Sequence, residues 1–143
     1  MLRKTTSKII IHCSATDKVN TRIADIRRWQ TAADFPGGAL PDVAYHYFIC
    51  GDGLLEVGLP EASRGYHTEG QNNCSVGICL NGPTKEKLWP NPEQIHTLES
   101  ILVHLNNTYP GCTLHGHKEF RLDKLCPAFD MFSIKRFWDK LPR

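Results

Sequence analysis

The chain has 143 residues, 41% of them hydrophobic and 22% charged, and its formal net charge is +2. The length suits one domain around one core, and the composition is that of a globular protein rather than a disordered or fibrous one. The charge is too small and too dispersed to make nucleic acid an expected partner.

The N-terminal "MLRKTTSKIII" is basic, but its apolar run is only three residues long before His12. A secretory signal or a membrane span needs a longer one. The chain is therefore expected to be cytoplasmic as synthesised, with no signal peptide and no membrane partner. "KIIIHC" reads as the first strand, with Ile10 and His12 on one face. A helix is expected over residues 21–34, where Ile23, Ile26 and Trp29 or Gln30 recur at a spacing of three to four. The loop "DFPGGALPD" ends it.

"VAYHYFIC" and "LLEVG" then flank "GDG" as a hairpin. Alternation puts Val43, Tyr45, Tyr47 and Ile49 on one side, and His46 and Phe48 on the other. "SVGICLNG" reads as a further buried strand. The next helix opens at Asn91, which caps; Pro92 fits the first turn and Gln94 completes a capping box. Ile95, Leu98, Leu102 and Leu105 form its apolar stripe, and "YPG" ends it. "CTLHGH" is a short strand and "KEFRLDKLCPAFD" an irregular loop. Ile134, Phe137, Trp138 and Leu141 mark a last helix. Strands interspersed with helices predict an α/β fold: one domain over residues 1–143, a mixed central β-sheet flanked by helices.

Six cysteines, at positions 13, 50, 74, 79, 112 and 126, are many for this length. An even count permits disulfides, but no signal peptide is expected to support them and there is no C-x-x-C pair. Most are expected to be small buried residues. Three groups at strand ends or in adjacent loops have metal-ligand chemistry: His12, His117 and Cys126. Imidazole nitrogen and thiolate sulfur suit Zn²⁺, and three protein ligands leave a fourth position for an activated water. Spacing alone does not select this triplet, since seven histidines and six cysteines offer many. Read by themselves, His12 is equally a hydrogen-bonded strand-end histidine and Cys126 a buried residue closing a turn.

Four segments in order change that balance: "IIIHCSAT", "DVAYHYFICGDG", "GYHTEGQNNCSVGICLNG" and "GHKEFRLDKLCPAFD". Together they resemble the type 2 N-acetylmuramoyl-L-alanine amidases, zinc enzymes of peptidoglycan that share a fold with peptidoglycan recognition proteins. The similarity runs from Lys8 to the last helix and is greatest to the branch of short phage lysozymes. It implies that His12, His117 and Cys126 hold Zn²⁺, with Cys126 standing where many relatives carry aspartate. It implies catalytic roles for Tyr45 and Lys124. An ammonium beside the metal stabilises the oxyanion of amide attack, and a tyrosine can orient water or relay a proton to the leaving amine. His67 matches a histidine at the rim that contacts substrate, and Asn72 and Asn73 fall where the family has a structural or substrate-binding asparagine. His46 alternates away from Tyr45 as a packing residue, His96, His104 and His115 match nothing, and Glu119 is a candidate to orient a ligand.

The resemblance departs from its family in the long connection "AADFPGGALPD" and in one extra residue between His117 and Lys124. No separate cell-wall-binding domain is expected. The implied activity is hydrolysis of the amide between N-acetylmuramic acid and L-alanine, on peptidoglycan or a muropeptide, by a monomer. A phage endolysin is favoured over a recycling amidase. The alternatives are a peptidoglycan-binding module without catalysis, or an amidase that also binds and inhibits its phage's RNA polymerase.

Overall fold

The computed structural model describes residues 1–84 and 88–143. Its strands are β1 (Lys8–Cys13), β2 (Tyr47–Ile49), β3 (Leu55–Val57), β4 (Ser75–Leu80) and β5 (Thr113–Gly116), in the sheet order β3-β2-β4-β1-β5. β1 runs parallel to both β4 and β5, β2 runs parallel to β4, and β3 turns back antiparallel on β2. The helices are α1 (Ile23–Gln30), α2 (Pro92–Thr108) and α3 (Phe132–Asp139). The expected mixed sheet flanked by helices is what forms.

β1 and β4 are the most apolar strands because both of their faces are covered, as parallel strands require. Ile9 and Ile11 of β1, with Val76, Ile78 and Leu80 of β4, pack against Leu98, Leu102 and Leu105 of α2 and Ile134 and Trp138 of α3. On the other face Phe48 and Cys79 meet Ile23 and Ile26 of α1. Asn91 caps α2 as read from sequence: its side-chain oxygen accepts the Gln94 N–H at 2.8 Å, and the Gln94 amide oxygen accepts the Asn91 N–H at 3.2 Å. The buried stripe of that helix is shifted, however. Ile95 is only half-buried, while Gln94 turns inward to donate to the Asn81 carbonyl and Ile101 takes the core position.

Two other expectations are corrected. α1 covers eight residues rather than fourteen, because it stops at Thr31, whose hydroxyl donates back to the Arg27 carbonyl. Its inward residue is Gln30, which accepts the Ala44 N–H, and Trp29 is half-exposed. The first hairpin strand contracts to Tyr47–Ile49, and the alternation breaks at His46. Val43 and Tyr45 join the cluster of Phe48, opposite Tyr47 and Ile49. The cause is His46 itself, fully buried, whose ring spans from the Gly77 N–H (2.9 Å) to the Ser63 carbonyl (2.7 Å).

All six cysteines are free thiols; Cys50, Cys79 and Cys112 are buried, while Cys13, Cys74 and Cys126 are only partly so, so half rather than most are buried.

Candidate metal centre

Parallel pairing brings the C-terminal ends of β1 and β5 to one edge of the sheet, the edge at which open α/β sheets bind ligands. His12 is the penultimate residue of β1, and His117 directly follows β5. The loop after β5 then returns to β1. Lys118 N–H donates to the Cys126 carbonyl at 2.8 Å, and Cys13 N–H donates to Cys126 Sγ at 3.0 Å. As a result one ring nitrogen of His12, one of His117 and Cys126 Sγ lie within 4.8 Å of one another, a grouping found once among the described residues.

The electrostatics suit lone-pair donation. Burial, then the rings of His67, His117 and His46, holds His12 well below the usual histidine range. Burial, then the charges of Lys124 and Arg121, lowers His117. Both imidazoles are therefore neutral at neutral pH, the form that ligates. The Cys13 thiol beside it, and then burial, push the Cys126 thiol far up, so it needs a cation to ionise it. Two neutral nitrogens and one sulfur fit a borderline-soft divalent cation with an open fourth position.

The other predicted residues gather around this group to different degrees. The Tyr45 ring lies 5.1 Å from that of His12, and burial, then the thiols of Cys79, Cys126 and Cys13, raise its phenol so that it keeps its proton. Lys124 is exposed two residues before Cys126, and its charge reaches His117. His67 is buried beneath the group rather than standing at a rim: its Nδ1 is 2.9 Å from His12 Nε2. Asn72 holds this part of the chain, its side-chain oxygen accepting the N–H groups of both His67 and Thr68. Asn73 is turned to the N-terminal segment, where its carbonyl accepts the Thr5 N–H. Glu119 braces the turn before His117 through the Gly116 N–H and pairs with His115 and Lys135.

Several participants had no signature of their own in the sequence. Thr68 and Ser75 hydroxyls touch His67, and Thr68 also touches His12. Gly65 and Gly77 flank the His67 ring so closely that a Cβ on either would stand 2.6 Å from its Cδ2. Gly77 was the legible clue, since a glycine within a buried strand marks a close approach. A cleft of about 910 Å³ opens beside the site, beginning at Ser14 and walled by Lys18, Ile26, Arg28 and Trp29; the three donors do not line it.

Comparison with known proteins decides the family. Residues 2–129 match the family model described as N-acetylmuramoyl-L-alanine amidase. The chain belongs to this family. The amidase is 37% identical to the endolysin of Klebsiella phage KP32 and 38% identical to that of Escherichia phage T7, each over 96% of this chain and 89% of the relative. Among solved structures it superposes on the N-acetylmuramoyl-L-alanine amidase LysC from Clostridium intestinale URNW with a TM-score of 0.78 and 25% identity, over 97% of this chain and 87% of that one. No helix among the described residues of the amidase is long and apolar enough to cross a membrane.

Proposed function

We propose that this amidase hydrolyses the bond between N-acetylmuramic acid and L-alanine in peptidoglycan as a phage-type endolysin, with Zn²⁺ held by His12, His117 and Cys126. The observation that carries this is the convergence of two neutral imidazoles and a thiol from three separate parts of the chain to within 4.8 Å. The endolysins it resembles over nearly its whole length support the setting.

Zn²⁺ bound there supplies Lewis-acid polarisation and a water acidic enough to ionise near neutral pH. The protein's part is positional and electrostatic. His12, mounted on a rigid central strand, and His117, at the end of the neighbouring strand, bring lone pairs at fixed separation. The Lys124 ammonium stabilises the oxyanion that develops on the carbonyl under attack. Tyr45, whose phenol keeps its proton, donates a hydrogen bond toward the attacking water or the departing amine. His67 and Asn72 belong to the wall behind His12, and the exposed cleft from Ser14 gives a glycan or stem peptide room to lie beside it.

The test is release of stem peptide from purified peptidoglycan by the wild type and by Cys126→Ala, with bound zinc quantified in both. About one zinc per chain and cleavage in the wild type, both lost in the variant, are expected. Zinc without cleavage would reduce the protein to a binding module.

A further inference from the structure

A histidine has two ring nitrogens, and only the one without a proton can meet a metal. For His12 the hydrogen bonds beneath it decide which nitrogen that is. Ser75 Oγ lies 2.7 Å from the Gln71 carbonyl oxygen, which can only accept, so the hydroxyl proton points there. With its one proton used, Ser75 accepts from His67 Nε2 at 3.3 Å. A neutral imidazole carries a single N–H, so His67 Nδ1 is bare. His12 Nε2 stands 2.9 Å from that bare nitrogen. Two lone pairs facing each other at this distance would repel, so His12 Nε2 carries the proton, with Thr68 Oγ1 at 3.3 Å as a second acceptor. His12 Nδ1 is left with its lone pair.

We propose that Ser75 and His67 are positioning residues that set the tautomer of His12, donating in the direction His12 to His67 to Ser75 to the Gln71 carbonyl and so presenting Nδ1 of His12 as the ligand atom. The inference rests on the reading of His12 as a zinc ligand. Ser75, His67 and Thr68 are all buried, so bulk water does not compete for these bonds. The chain ends on a main-chain carbonyl, which cannot reverse its role. Gly65 and Gly77 supply the slot that holds the His67 ring edge-on to His12, with the two rings inclined at 86°. Metal-binding histidines commonly donate their second nitrogen to a carboxylate or a carbonyl; here an imidazole and a hydroxyl extend that link over two more side chains.

The decisive experiment is ring-nitrogen NMR of the metal-free, histidine-labelled protein. The expected result is protonated Nε2 and bare Nδ1 at both His12 and His67. A proton on His12 Nδ1, or a mixture of tautomers, would overturn the proposal with no reference to zinc. Zinc affinity by chelator competition then follows. His67→Phe, which keeps a ring in the slot but accepts no hydrogen bond, should weaken binding by roughly 10–100-fold, and Ser75→Ala should weaken it in the same direction by less. Unchanged affinity in a folded His67→Phe variant would also overturn it; should that variant not fold, the wild-type spectrum alone decides. Wild-type protein with the expected tautomers but no affinity for zinc would sink the metal reading instead.

Discussion

Ile9 and Ile11 on one face of β1 sink into the apolar layer under α2 and α3, while His12, two positions from Ile10 on the other face, meets His67, Thr68 and Tyr45. The first face is held by volume. Its members are interchangeable in principle with other apolar groups that fill the same space. The second face is held by direction: its donors and acceptors are matched to one another, and a residue of equal size with the wrong proton would break the arrangement. One strand thus serves as the middle of a core and the mount of the candidate metal group, and the difference between its faces predicts two kinds of mutant.

Leu102→Ala, in the fully buried stripe of α2, tests the first kind. It should cost about 2–5 kcal/mol of stability, read as a drop in the midpoint of chemical denaturation, and leave zinc affinity in the surviving folded protein unchanged. A loss of zinc affinity would mean that the two faces are not independent. Lys124→Ala is the converse. The side chain is exposed, so the melting temperature should not move, but turnover on peptidoglycan should fall by roughly 100- to 1,000-fold, as for removal of an oxyanion donor. Retained turnover would remove Lys124 from the reaction.

Acidification sharpens the comparison further. Burial holds His46 down to about 4, against an ordinary value of 6.5, and His12 and His67 are lowered in the same sense. Between these values the unfolded chain binds a proton that the folded chain refuses. Stability is therefore full above about pH 6.5 and is lost as the pH falls toward 4, by about 3 kcal/mol from His46 alone. Denaturation of the metal-free protein at pH 7 and pH 5 measures it; equal midpoints would mean that these rings are charged in the native state. Glu61 contributes with the same sign, in a lower pH window. Burial works to raise its carboxyl, but hydrogen bonds from Tyr47, His104 and Tyr109 outweigh it and leave it lowered. Its contribution is full above the ordinary carboxylate value of 4.5 and is lost as the pH falls below it.

What could be read from the sequence divides along the same line. The isoleucines of β1 and the Asn91-Pro92-Glu93-Gln94 start of α2 were legible because their causes are local: strand alternation, and a side chain reaching its own helix. The grouping of His12, His117 and Cys126 was legible through four ordered segments, not through spacing. The strand over residues 43–50 was misjudged because His46 bonds across to Gly77, a partner 31 positions away that no periodicity reveals. Ser75 and Thr68 were silent for the same reason. A serine opening a strand and a threonine in a loop look ordinary until β4 lies under the His67 turn. Asn72 and Asn73 could be separated only by seeing which side chain faces the His67 and Thr68 amides.

Gly65 and Gly77 have no functional group, yet the slot around His67 is defined by what they lack. Their contribution to the placement of that ring is an absence of carbon, and neither can be replaced by any other amino acid without moving it. Variation at these two positions would therefore be constrained as tightly as at a ligand, for a reason that chemical reactivity alone would never suggest.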